Sequence, residues 1–291
     1  MSGEAVSGEA VTSEAASGTH TASSSEAVPS RAPVGIFDGG IGSFDMVRRI
    51  RAAFPRQDII YLADRASFPY GALSEPELLA SVARAATGLV RLGAGSVILA
   101  SNAPSVTVLD ALQPLVSVPL LGVKPPVGEA LAAVGSDRVV AVAGAGVMIE
   151  SEALSRHIAE ESGPDQDRVI AVRADALIAL VESGAFLNPR EVESPIRAFV
   201  AELRARAPRV AAITLSSTHL PWLAEEFARL APDLRLFDPA DTVVRAFAPL
   251  ATQGTGELLS IATASDRHPL SEFQAIADGL RIGITPTLVQ L

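Results

Sequence analysis

Apolar residues in this chain fall into two alternating rhythms. Short unbroken runs predict strands: VGIFD (34–38), DIIYLAD (58–64), SVILAS (96–101) and VPLLGV (118–123). Between them, apolar residues at three- and four-residue spacing predict helices over 44–54, 76–93 and about 106–115. After Pro125 and Pro126 the rhythm begins again. A helix over 127–134 leads to RVVAVAG (138–144), a helix over 149–161, RVIAVRA (168–174) and a helix over 192–206. VAAITLS (210–216), a helix over 221–231 and LRLFDPA (234–240) follow. The stretch from about 241 to 291 predicts a helix, the strand ELLSIATA (257–264) and a further helix.

Strands apolar on both faces and separated by helices belong in parallel sheets covered on both sides. The expected fold is therefore α/β: two pseudo-symmetric, doubly wound parallel-sheet domains with a cleft between them. The first takes residues 33–126 together with about 241–291, and the second takes 127–240. Residues 1–32, with SGEAV twice in tandem and little but Ser, Ala, Glu and Thr, cannot bury enough apolar surface to offset ordering and are expected to be a disordered tail. In SVILASNAPS (96–105) and AAITLSSTHLP (211–221) a buried-type strand stops at serine before a helix. Doubly wound folds bind ligands outside the carboxyl ends of their strands, so these two ends are expected to face each other.

Charge narrows the partners. The net charge of −10 excludes the basic face that nucleic acid or an anionic membrane requires. A mean hydropathy of +0.33 comes from core strands, because no apolar run is long enough to cross a bilayer. No secretory signal is visible, and a cytoplasmic location is expected. Cysteine is absent, which removes disulfides, thiolate metal sites and thiol nucleophiles.

Four strand ends carry polar candidates: Asp38 with Gly39 and Gly40; Asp64 and then Pro69-Tyr70-Gly71; Ser101-Asn102; and Ser217-Thr218-His219. Each alone reads as a helix cap, but four at one end of a sheet predict a shared pocket. Gly39-x-x-Gly42 lacks the third glycine of a dinucleotide fingerprint, and no phosphate loop or metal-ligand spacing is present. Ser217 and His219 suggest a nucleophile and base, yet no G-x-S-x-G elbow accompanies them. Lys124, the sole lysine, reads as a solvated residue.

Taken together, these segments resemble the glutamate racemase family within the aspartate/glutamate racemase superfamily. GIFDGGIGSFDMVRRI is similar to the family's F-D-S-G-V-G-G-L opening, and IIYLADRASFPYG to its Y-x-G-D-x-x-x-x-P-Y-G segment. VILASNAPS resembles I-A-C-N-T-A-S, LVESGAFL (180–187) resembles V-E-x-G, and LSSTHLPWL resembles L-G-C-T-H-Y-P-L-L. Order and spacing agree from about residue 33 to the end. The resemblance implies cofactor-independent chemistry without a metal, in which two cysteines on opposite faces of the substrate α-carbon remove and return a proton. It implies assisting roles for Asp38, Glu182 and His219, and ligand contacts at Gly39, Pro69, Tyr70, Gly71, Asn102, Ala103 and Thr218. It also implies a small acidic or carboxylate-bearing ligand and suggests a homodimer.

Both cysteine positions are serine here, Ser101 and Ser217. A thiol near pKa ~8.5 suits proton transfer; a hydroxyl about five units weaker disfavours each transfer by roughly 7 kcal/mol. Gly39 replaces a serine, Ala103 a threonine and Leu220 a tyrosine, while Ala145 and Met148 stand where the family often has threonines. Ordinary two-base racemisation is therefore not expected. Three readings stay open: a racemase-like enzyme with slow or altered isomerisation or a reaction on a more acidic C–H, a catalytically silent ligand-binding or regulatory homologue, and a lyase or hydrolase using the same cleft.

Overall fold

The computed structural model describes Met1 and residues 31–291; the low-complexity segment expected to be disordered lies, over 2–30, outside the described residues. Among the described residues ten strands form: β1 Val34–Asp38, β2 Ile59–Asp64, β3 Ser96–Leu99, β4 Leu120–Gly122, β5 Val139–Gly144, β6 Val169–Arg173, β7 Val210–Ser216, β8 Arg235–Phe237, β9 Leu258–Thr263 and β10 Thr287–Leu288. They make two sheets, β10-β9-β2-β1-β3-β4 and β6-β5-β7-β8, and every pairing is parallel. The core orders β2-β1-β3-β4 and β6-β5-β7-β8 are the same path drawn twice. In each, the chain goes to one side of the first strand and then returns to its other side, leaving a switch point between β1 and β3 and another between β5 and β7.

The strands are as apolar as the sequence requires: all five residues of β1 and all six of β2 are buried. One core continues across both sheets and joins Ile36, Phe44 and Tyr61 to Ala141, Leu215 and Phe247. Two further clusters fill the outer faces, one beneath the helix Glu75–Arg91 and one beneath the helices Val127–Ala132 and Glu152–Ser162. The Glu75–Arg91 helix starts on a reciprocal cap between Ser74 and Glu77, with Pro76 in its first turn. Among the described residues no helix is long and apolar enough to cross a membrane.

Four elements differ from the sequence-based expectation. The helix expected over 106–115 begins at Asn102, immediately after Ser101, and runs as short pieces, Asn102–Thr107 and Leu109–Leu112. The helix expected over 149–161 is split into Gly146–Ile149 and Glu152–Ser162, because Ser151 caps a fresh start. The helix Asp175–Glu182 was not anticipated; its eight residues are mostly apolar and lack a polar face to betray a period. The two-residue β10 is too short to leave a pattern.

Phe273, from the last helix, is fully buried with its ring 5.2 Å from Phe44, whose ring is in turn 4.6 Å from Tyr61. Phe273→Ala empties this centre and is expected to lower unfolding free energy by about 3–5 kcal/mol, measured by urea denaturation.

Candidate active site

A cavity of about 320 Å³ lies between the sheets, reached by the carboxyl ends of strands from both. It is lined by Asp38, Pro69, Tyr70, Gly71, Ser101, Asn102, Ala103, Glu182, Ser217, Thr218 and His219, which are all the catalytic and ligand-contact positions implied by the resemblance except Gly39; the strand-end candidate Asp64 lies outside the lining. Gly39 sits behind the wall, its amide bonded to Asp38 Oδ1 at 2.7 Å and its carbonyl to Arg65 Nη1 at 2.9 Å. Lys124 lies outside the cavity against Asp110, at 3.2 Å.

The glycine turn after β1 is explained by crowding rather than by a nucleotide. A Cβ on Gly42 would lie 2.5 Å from Thr218 Oγ1 and 2.8 Å from the His219 amide. Only glycine lets the two strand-end loops meet there. Trp222 Nε1 adds a bond to the Gly42 carbonyl at 3.3 Å across the same junction.

Two polar relays face the cavity. In the first, the Ser101 hydroxyl stands close enough to the Asp38 carboxyl to favour its charged form, and that carboxyl accepts from Thr218 Oγ1 of the other half at 3.3 Å. Burial pushes the Asp38 carboxyl up from 3.8 to about 6, against the opposing pull of His219 and its hydrogen bonds. In the second, Ser217 Oγ lies 3.3 Å from His219 Nδ1, and His219 Nε2 lies 2.7 Å from Glu182 Oε2. Glu182 also accepts from the Ile41 amide at 3.1 Å and Arg65 Nη1 at 2.8 Å. Burial alone would raise the Glu182 carboxyl; the bonds and charges of His219 and Arg65 outweigh it and hold the group below its ordinary value. An ionised carboxylate only accepts, so Nε2 carries the hydrogen, and in neutral imidazole Nδ1 is left as acceptor for the Ser217 hydroxyl.

Sequence reasoning missed several wall residues: Phe68, Val147, Asp175 and Ile178. It also missed Arg65, which is 3% exposed, lies 4.4 Å from the Phe68 ring centroid and backs Glu182. A charged residue next to an apolar strand in a chain with many arginines gives no local signal of that role. Among the described residues no cluster of His or carboxylates could hold a metal ion.

The model for the Asp/Glu/Hydantoin racemase family matches residues 42–247, well over half of the chain. A glutamate racemase from Deinococcus radiodurans is 30% identical over 262 residues, covering 85% of this chain and 87% of that protein. One from Ralstonia pickettii is 32% identical over 218 residues, covering 74% and 75%. The crystal structure of Thermus thermophilus glutamate racemase in complex with beta-chloro-D-alanine superposes with a TM-score of 0.71 at 25% identity, covering 90% of this chain and 97% of that one. That of the Francisella tularensis glutamate racemase in complex with D-glutamate superposes at 0.72 and 23%, with the same coverage. The fold is thus that of the Asp/Glu/Hydantoin racemases. Within that class, the chain belongs to the glutamate racemase family.

The raised Asp38 carboxyl has a thermodynamic signature. The folded protein holds this proton more tightly than the unfolded chain does, so the group's contribution to stability is intact below about pH 4 and is lost as the pH rises through 6. A difference of about two between folded and unfolded pKa corresponds to about 3 kcal/mol. Asp38→Asn is expected to be more stable than the parent by up to that amount at pH 8, the gap closing towards pH 4, in urea denaturation at both pH values.

Proposed function

We propose that this protein is a cofactor-independent isomerase of a small carboxylate-bearing molecule, working by proton transfer through serine hydroxyls. What supports this reading most is the pairing of the two relays, Asp38–Ser101 and Glu182–His219–Ser217, at facing strand ends around one cavity. On one face of the ligand, Ser217 takes the proton from carbon as its own hydroxyl proton passes to His219 Nδ1. On the other face, Ser101 returns a proton to carbon and is replenished by Asp38, whose carboxyl, raised to about 6, exchanges its proton closer to neutral pH than an ordinary carboxyl does. The reverse reaction exchanges these roles. Gly39, Pro69, Tyr70, Gly71, Asn102, Ala103 and Thr218 are assigned to shaping and holding the ligand, Gly39 through Asp38 and Arg65. A cytoplasmic location and a homodimeric assembly complete the proposal on the family resemblance alone.

The relays move the burden of a poor hydroxyl acid onto better-matched groups, but the ligand must meet them partway. The transferred C–H is therefore more acidic than that of an ordinary amino acid. Ser217, His219 and Glu182 also resemble a hydrolytic triad. That reading is the weaker one, because Ser217 Oγ accepts the His219 amide at 3.4 Å, the local bond of a turn.

The test is loss of the α-proton signal in deuterated water, with both enantiomers of glutamate, aspartate and phenylglycine. Phenylglycine, with the more acidic benzylic C–H, is expected to exchange fastest. Ser101→Ala and Ser217→Ala are each expected to slow exchange at least about 10²-fold, and the Ser101→Cys/Ser217→Cys variant to accelerate it. Absence of exchange with every probe, in both the parent protein and the folded double-cysteine variant, would sink the proposal.

A further inference from the structure

The cavity wall holds a polar cluster and an apolar patch, and the helix Asp175–Glu182 contributes to both, with two acids and Ile178. Asp38, Ser101 and Ser217–His219 follow β1, β3 and β7 and are polar. Phe68 follows β2, Ala145, Val147 and Met148 follow β5, and Ile178 lies on the helix after β6; all are apolar. Charge is as one-sided as polarity. The lining holds three carboxylates, Asp38, Asp175 and Glu182, and neither lysine nor arginine. Arg65 Nη1 is already committed to the Gly39 carbonyl and Glu182. Arg173 is committed to Asp175 at 2.7 Å and to Glu150 at 2.8 Å.

The remaining side-chain donors are mostly engaged as well. Tyr70 donates to Asp64 at 3.0 Å, Asn102 Nδ2 to the Val123 carbonyl at 3.1 Å, and Ser216 pairs with Thr214 at 2.7 Å. Ser101 and Ser217 stand at the polar end, Ser217 paired with His219 at 3.3 Å, so the hydroxyls an anionic ligand can meet lie there and not along the apolar patch. A second carboxylate on the ligand would rest against Val147, Met148 and Ile178 without a side-chain cation to pair with. Such a charge is disfavoured there by desolvation.

We infer that the cleft takes a monocarboxylate bearing a bulky apolar group, aryl or branched alkyl, seated against Phe68, Val147, Met148 and Ile178. This rests on the reading that the cleft receives a small carboxylate, and it names the class. Met148, 1% exposed and flexible in its thioether, moulds to such a group. An aryl substituent also acidifies the neighbouring C–H, which is what hydroxyl-mediated transfer demands.

The test is calorimetric titration with 2-phenylpropionate, both enantiomers of phenylglycine and both enantiomers of glutamate. The phenyl compounds are expected to bind at least about 10-fold more tightly than glutamate, the scale of a few methylenes in an apolar pocket. Met148→Thr and Ile178→Ser, checked for parental melting behaviour, are expected to erase most of that preference. Val147→Ser, at an exposed position, gives a third probe of the wall with little risk to folding. Equal or tighter binding of glutamate would overturn this inference and leave the carboxylate reading standing. A preference for phenyl compounds that survives in all three variants would overturn the assignment to this wall. Failure of every compound to bind the parent protein would overturn the carboxylate reading and this inference with it.

Discussion

The Glu182 carboxylate is the point at which the two halves of this molecule become one site. It stands at the end of a helix in the second half, yet two of its bonds come from the first: the Ile41 amide and Arg65 Nη1. Its third partner, His219, gains from it both an orientation and a tautomer. A mostly buried carboxylate without these partners would shed its charge. With them it stays ionised, and every proton position in the Ser217 relay is then set. The crossed bond from Thr218 to Asp38 repeats the arrangement on the other relay, so each half completes the other's chemistry.

That interdependence follows from a path used twice. Each sheet places its switch point beside its first strand, and bringing the two switch points face to face leaves four strand ends around one cavity. The third section of the chain then returns to the first sheet as β9, beside β2, and brings Phe273 beneath Phe44 and Tyr61. The aromatic centre and the cavity wall are thus directly joined: Tyr61 meets Ser43 in the glycine turn at 2.9 Å, a few residues from Asp38.

Much of this was legible in the sequence, and the limits have physical causes. The long apolar strands announce themselves because burial on both faces leaves no other residue choice. The strand ends were found because polar residues stopping an apolar run are conspicuous. The helix Asp175–Glu182 was missed because it is short and apolar nearly all round, although Glu182 itself was identified through its V-E-x-G context. Arg65 and Ile178 were missed for a different reason. Their importance lies in what faces them across more than a hundred residues of chain, and no local pattern encodes a partner that far away. Gly42 lies between these cases: its glycine signal was visible, but its purpose, contact with Thr218, belongs to the tertiary structure.

That contact also sets how such a molecule can move. Gly42 and Thr218 already touch with no space for a methyl group, so the two halves cannot approach further there. Separating them at that point would break the Trp222 bond and expose backbone. The junction is thus fixed by packing and by a hydrogen bond together, whereas at the rim Val147, 48% exposed, faces Gly71 of the opposite half with an apolar side chain.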